Sequence, residues 1–219
     1  MNASLKGILP TAVLWAYLSL TLVFAITPGA TTALVVSHTL SGGRRRGLQA
    51  SLGAMTANVT QALLAIAGVS ALIAKWPEAL NILKLGGSLF LAWCGVKSLR
   101  RAIGGEPTAI HEALNATLAA PKHSPFADGI TVNLLNVSIT SFYVGVVPTF
   151  LRPNTIFSGL GGLMLLYATH ILIAFGCHAF WITLFFQARA LFTRERARRL
   201  LDATFGVLLI WLAAKIALR

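Results

Sequence analysis

The stretch AVLWAYLSLTLVFAITPGATTALVV, residues 12–36, decides the fold. It holds no charged side chain, and it exceeds the roughly 20 apolar residues that a helix needs to cross a bilayer. Thr27-Pro28-Gly29 interrupts it near the middle. Proline removes a backbone donor and clashes with the preceding turn. In lipid, the backbone groups freed by such a break must be satisfied by neighbouring helices or a wet cavity. The run from Ala12 to Ile26, with Lys6 ahead of it, also resembles a secretory signal. Because apolar character resumes after Gly29 and continues to Val36, the stretch reads as one retained span with a break in it.

Similar stretches recur along the chain. They run from about Leu48 to Ala74, Ala79 to Leu99, Phe126 to Phe150, Ile156 to Gln187 and Leu200 to Leu218. The expected fold is therefore an all-α integral membrane protein with six transmembrane helices, of which the first and fourth are broken. Composition agrees. Only 11% of the 219 residues are charged, against about 25% in ordinary soluble domains. A β-barrel would show period-two alternation, whereas these apolar runs are continuous. Residues 1–219 read as a single transmembrane domain, with repeat one at about 12–99, a loop at about 100–124 and repeat two at about 125–219. Within the loop, Ile110, Leu114 and Leu118 lie between Pro107 and Pro121. Their spacing fits a short interfacial helix or a plain loop equally well.

The net charge is +12. With no aromatic platform beside a basic groove, this excess reads as the positive-inside rule and not as nucleic-acid binding. Arg44–Arg46, then Lys97, Arg100, Arg101 and Lys122, then Arg189, Arg194, Arg196, Arg198 and Arg199 follow spans one, three and five. Those twelve face six on the other side: Lys6, Lys75, Lys84, Arg152, Lys215 and Arg219. The odd loops are thus expected in the cytoplasm and both termini outside it.

A faint repeat accompanies this topology. An offset of 109 lays span two on span five, matching Met55 with Met164, Thr60 with Thr169, Leu63 with Leu172, Ala65 with Ala174 and Gln61 with His170. An offset of 118 matches Trp93 with Trp211 and Lys97 with Lys215. Two three-span units in opposite orientation form the inverted-repeat plan of many secondary transporters. Span four, at the place matching span one, carries Asn133, Asn136 and Ser138 at mid-depth. Asn133 and Asn136 are three apart and share a helix face. A broken helix offers free N–H groups to an anion and free C=O groups to a cation, and a zwitterionic amino acid needs both. The expected substrate-contacting residues are Thr27, Pro28, Gly29, Thr31, Asn58, Gln61, Asn133, Asn136 and Ser138.

Intramembrane ionisable groups are costly and mark function. Asp128, near the start of span four, and His170, at mid-depth in span five, are the candidates for proton coupling. Asp128 also fits an interfacial position, and His170 a structural interhelical hydrogen bond. His178 lies eight residues beyond His170, roughly on the same face. His38 is expected among headgroups, and Asp202 at the mouth of span six. Cys94 and Cys177 lie on different spans and read as two buried thiols, without metal or redox spacing. The glycine pairs Gly86-Gly87 and Gly161-Gly162 allow close helix approach, within one chain or across a homodimer.

The order TPGA (27–30), SGGRRRG (41–47), LKLGGSLFLAWCGVKSLRRA (83–102) and PFADGITVNLLNVSITSFYVGVVPTF (125–150) resembles the LysE/RhtB family of amino-acid exporters over nearly the whole chain. The resemblance implies a bacterial inner-membrane secondary transporter, without cofactor or enzymatic activity. It would export amino acids or their derivatives, with proton exchange as the driving force. Two positions depart from the family pattern. Ala30 stands where a second proline is usual, and Val137-Ser138 follows Asn136 where Pro-Lys is usual. The resemblance therefore implies that span four is less broken than in the family. The alternative reading is a metal or inorganic-ion exporter of related architecture. Against it stand the lack of a His-rich loop and of an acidic intramembrane cluster.

Overall fold

The computed structural model describes residues 11–76, 78–104, 124–188 and 195–217. The stretch expected as an interfacial helix, the basic residues 189–194 and the Asp202 side chain lie outside the described part. Every described element is helical: α1 (Thr11–Ile26), α2 (Ala30–Lys75), α3 (Ala79–Gly104), α4 (Pro125–Leu134), α5 (Val137–Ser141), a π-helical turn (Phe142–Val146), a 3-10 turn (Val147–Phe150), α6 (Gly159–Ala188) and α7 (Glu195–Ala217).

Three helical stretches among the described residues, Ala30–Leu72, Asn81–Gly104 and Gly159–Gln187, are long and apolar enough to cross a membrane. The pair Pro125–Leu134 and Val137–Phe150, bent by 51°, makes a fourth if counted as one span. Large apolar side chains face outward all round, among them Trp15, Leu64, Leu89, Leu135 and Leu172. A soluble monomer rarely presents so much contiguous apolar surface, whereas lipid solvates it.

The 46 residues of α2 would extend about 70 Å if straight, at 1.5 Å per residue. That is more than twice the hydrocarbon thickness. The helix is not straight. Gly42 and Gly43 have non-helical backbone, with Gly43 at φ 75°, a left-handed conformation that glycine adopts without steric cost. A Cβ placed on Gly47 would strike the Thr39 hydroxyl, and Thr31 and Asn58 both bond to Asn133. The chain therefore folds back at the two glycines. Where a loop was expected across Ser41–Gly47, only Gly42-Gly43 leaves the helix, and Arg44–Arg46 already belong to the returning arm.

Span four is broken, as expected: the helix ends at Leu134 and restarts at Val137, with a bend of 51° between the two parts. Asn136 takes over the role of the missing proline: it adopts an extended backbone and its side chain accepts from the Ser138 N–H. That is an N-cap, which stabilises a helix start without needing proline. Further on, Val147 N–H reaches Phe142 O, the π register. Pro148 explains the local widening, because its ring cannot follow a tight α-turn and supplies no N–H. Span five begins as helix only at Gly159, three residues later than its apolar run.

Small residues set the packing. A Cβ on Gly53 would collide with the Phe126 backbone, and one on Gly129 with the Ala50 backbone, so α2 and α4 are in near backbone contact. Gly87 lies equally close against Gly145, an internal use of one glycine pair. α3 packs chiefly on α7, α2 on α4 and α6, and α1 on α6. The largest buried cluster joins Tyr17 and Leu20 of α1 to Leu91, Phe142, Tyr143, Leu166, Tyr167 and Leu209. Two of its three tyrosine hydroxyls are paired: Tyr17 donates to Leu166 O at 2.6 Å and Tyr167 to Tyr143 O at 2.8 Å.

Candidate functional site

Two helix breaks meet inside the molecule. The first, Thr27–Gly29, separates α1 from α2, and no side chain caps the new N-terminus at Gly29. The first N–H groups of a helix have no intrahelical acceptor. Thr31 and Thr32, in that first turn, are buried. The second break, at Leu135-Asn136, lies against the first. Thr31 Oγ1 donates to Asn133 Oδ1 at 2.9 Å, and Asn136 Nδ2 donates to Thr31 Oγ1 at 3.2 Å.

Asn133, 1% exposed, is the hub. Its Nδ2 donates to Asn58 Oδ1 at 2.7 Å and to Ala54 O at 2.9 Å. Gln61 Nε2 covers the carbonyls that the second break frees, reaching Asn133 O at 2.8 Å and Leu134 O at 3.2 Å. Trp181 Nε1 similarly serves Ile26 O at the first break, at 3.2 Å. Backbone groups that lipid cannot solvate are thus met by side chains from other helices.

A cavity of about 140 Å³ lies at this junction. Of the residues singled out from sequence, Thr27, Pro28, Thr31, Asn58, Asn133, Asn136, Ser138 and His170 line it. Gly29, Gln61 and Asp128 do not. Gln61 lines a second, mainly apolar cavity between α2 and the α4–π segment. His170 is fully buried among the rings of Phe24, Phe142 and Tyr143, and neither ring nitrogen has a hydrogen-bond partner among the described residues. His178 also lines the cavity, its Nδ1 3.0 Å from Ser51 Oγ.

His38 does not sit among headgroups. It is fully buried, and its Nε2 lies 3.1 Å from Asp128 Oδ2. An ionised carboxylate only accepts, so Nε2 carries the proton in that contact. Asp128 therefore links α4 to the arm of α2 that precedes the Gly42-Gly43 fold-back.

Sequence reading missed Lys97 and Arg101, which it counted only as loop charges. Both lie on the last turns of α3 and line the cavity, with Lys97 Nζ 5.3 Å from the centre of the Trp93 ring. Their i, i+4 spacing, which puts both on one face of α3, was the available signal. Phe24, Ile139 and Leu209 supply an apolar wall, and no carboxylate lines the cavity among the described residues. One end thus suits an anionic group and the wall a hydrocarbon chain.

Residues 22–219 match the LysE type translocator family. A leucine efflux protein of Enterobacter sp. (strain 638) is 28% identical over 204 residues, covering 93% of this chain and 94% of that protein. A leucine efflux protein of Klebsiella pneumoniae is 27% identical, covering 88% of each chain. An uncharacterized membrane protein of Vibrio cholerae is 31% identical over 140 residues, covering 64% of this chain and 65% of that one. No solved structure matches. With a family match across almost its whole length, on a multi-pass frame of apolar helices, the chain belongs to the LysE-type translocators and is a membrane transporter, not an enzyme.

Proposed function

We propose that this protein is a secondary transporter that exports amino acids or their derivatives across the bacterial inner membrane in exchange for protons. The observation that carries the reading is the polar cavity at which both helix breaks converge. The uncapped start of α2 and the cations Lys97 and Arg101 bind the carboxylate. The amide oxygens and hydroxyls of Thr27, Thr31, Asn58, Asn136 and Ser138 receive the ammonium group. Pro28 and Gly29 keep the break open, Asn133 holds the two breaks together, and Gln61 seals the second one.

The favoured substrates are neutral amino acids with an aliphatic side chain, leucine first. A cationic side chain would meet the positive charge of Lys97 and Arg101 in a lining that holds no carboxylate among the described residues, and the same lining repels a metal cation. Leucine efflux relatives point the same way. Protons are carried by Asp128 with its partner His38, and by His170 in the cavity.

The frame for this is six spans in two inverted units, with both termini outside the cytoplasm. Three observations support it. α2 folds back at Gly42-Gly43 and so supplies parts of two spans. The breaks at Thr27 and Asn136 differ by 109 positions, the offset that lays span two on span five. The pairings α2 with α4 and α1 with α6 exchange under that offset.

The test is efflux from cells preloaded with labelled leucine, with and without the protein, across an imposed pH gradient. Faster leucine loss that responds to the gradient is expected. Unchanged loss of every amino acid, together with accelerated loss of a metal ion, overturns the proposal.

A further inference from the structure

The second cavity takes no part in the proposed substrate site. It is a groove of about 500 Å³ between α2 and the α4–π segment, open at the surface where Leu64, Leu72, Leu134 and Val144 are exposed. Its lining is apolar except for Gln61, Thr140 and Tyr143. Gln61 Oε1 and the Tyr143 hydroxyl are buried without a hydrogen-bond partner among the described residues.

The two cavities are related by the repeat. The offset of 109 carries Ala25 and Thr31 of the first onto Leu134 and Thr140 of the second. It likewise carries Gln61, Ala65 and Val69 of the second onto His170, Ala174 and His178 of the first. Thr27 and Asn136 are also offset partners, and both line the first cavity at the junction of the breaks. The first cavity reaches Lys97 and Arg101, on the basic end of α3. The second extends along α2 to Leu72, near the opposite end of that helix.

We infer that these cavities are the two alternating openings of one path, and that the second is the outer exit, shut at its inner end where Gln61 bonds to the α4 break. This rests on the proposed transporter reading. Gln61 is the latch that closes it. Its two bonds to Asn133 O and Leu134 O bind α2 to the broken end of α4. The offset counterparts of Gln61, Asn133 and Leu134 are His170, Phe24 and Ala25. In this structure, with the first cavity present, His170 makes no such bond. When the outer path opens, Gln61 releases and His170 engages the carbonyls of Phe24 and Ala25. The exported amino acid is the occupant of the opened exit. An inverted repeat makes this exchange degenerate in kind, because each unit adopts the conformation the other has left.

Gly68 provides the probe. It lines the second cavity, and a Cβ there meets nothing within 4 Å, so Gly68→Cys is accommodated without strain. Intact cells carrying Gly68→Cys are treated from outside with a bulky, membrane-impermeant maleimide, with wild type in parallel to measure labelling of Cys94 and Cys177. Loading the cells with leucine is expected to raise external labelling at position 68 at least threefold, and labelled protein is expected to stop exporting. Adding Gln61→Leu is expected to raise labelling without leucine. Absence of labelling, labelling indifferent to both leucine and Gln61→Leu, or full export by labelled protein overturns the exit assignment while leaving the exporter reading intact. A wild-type protein that exports neither leucine nor any other amino acid overturns both.

Discussion

Replacing Asn133 by leucine, which keeps the branched side-chain skeleton but no polar atom, tests whether the two breaks are held together as described. Asn133 is 1% exposed and makes three side-chain bonds: to Ala54 O, to Asn58 Oδ1 and from Thr31 Oγ1. Interhelical hydrogen bonds in membrane proteins contribute about 0.6 kcal/mol on average and up to about 1.7 kcal/mol each. Loss of three therefore costs about 2–5 kcal/mol, toward the upper end because Asn58 and Thr31 stay buried with less to bond to. The assay is reversible unfolding of purified protein in mixed micelles at increasing SDS, with efflux measured in parallel. Thr31→Val alone removes one of the three bonds and one from Asn136. A double-mutant cycle of Thr31→Val with Asn133→Leu isolates the pair, for which coupling of about 0.6–1.7 kcal/mol is expected. A cost below about 0.5 kcal/mol for Asn133→Leu, with zero coupling to Thr31, would refute the hub.

Other perturbations separate the parts of the account. Pro28→Ala restores a donor and lets α1 run on toward α2; export is expected to fall at least tenfold while membrane insertion, read by fractionation, is unchanged. Lys97→Gln and Arg101→Gln are each expected to raise the KM for leucine efflux about tenfold, as loss of one charge-assisted bond near 1.4 kcal/mol implies, and unchanged KM in both removes them from carboxylate binding. Gly129→Val places side-chain atoms against the Ala50 backbone and should cost about 1–3 kcal/mol of stability by overpacking, read as a lowered SDS midpoint. Asp128→Asn and His38→Gln should each retain leucine–leucine exchange yet lose net export driven by a pH gradient, because the proton-accepting pair is gone; gradient-driven export at the wild-type rate would assign protons elsewhere.

Much of this architecture was legible in the chain. Continuous apolar runs with 11% charge dictate helices in lipid, since no other open structure satisfies its backbone there. Thr27-Pro28-Gly29 announced the first break because proline acts locally. The offset of 109 is likewise a linear pattern, and it relates Thr27 to Asn136, which line one cavity. The break in span four was expected, but its capping by Asn136 was not, because capping depends on the φ/ψ that an asparagine adopts, which neighbouring helices decide. Two properties belong to the tertiary structure alone. Distance along the chain says nothing about which buried polar groups meet, so the pairing of His38 with Asp128, 90 residues apart, was invisible, as was the inward turn of Lys97 and Arg101. The division of Asn58 and Gln61 between two cavities was also invisible, although they lie three residues apart on one helix. It depends on which side of the α4 break each side chain meets, and only the packing of α4 against α2 sets that.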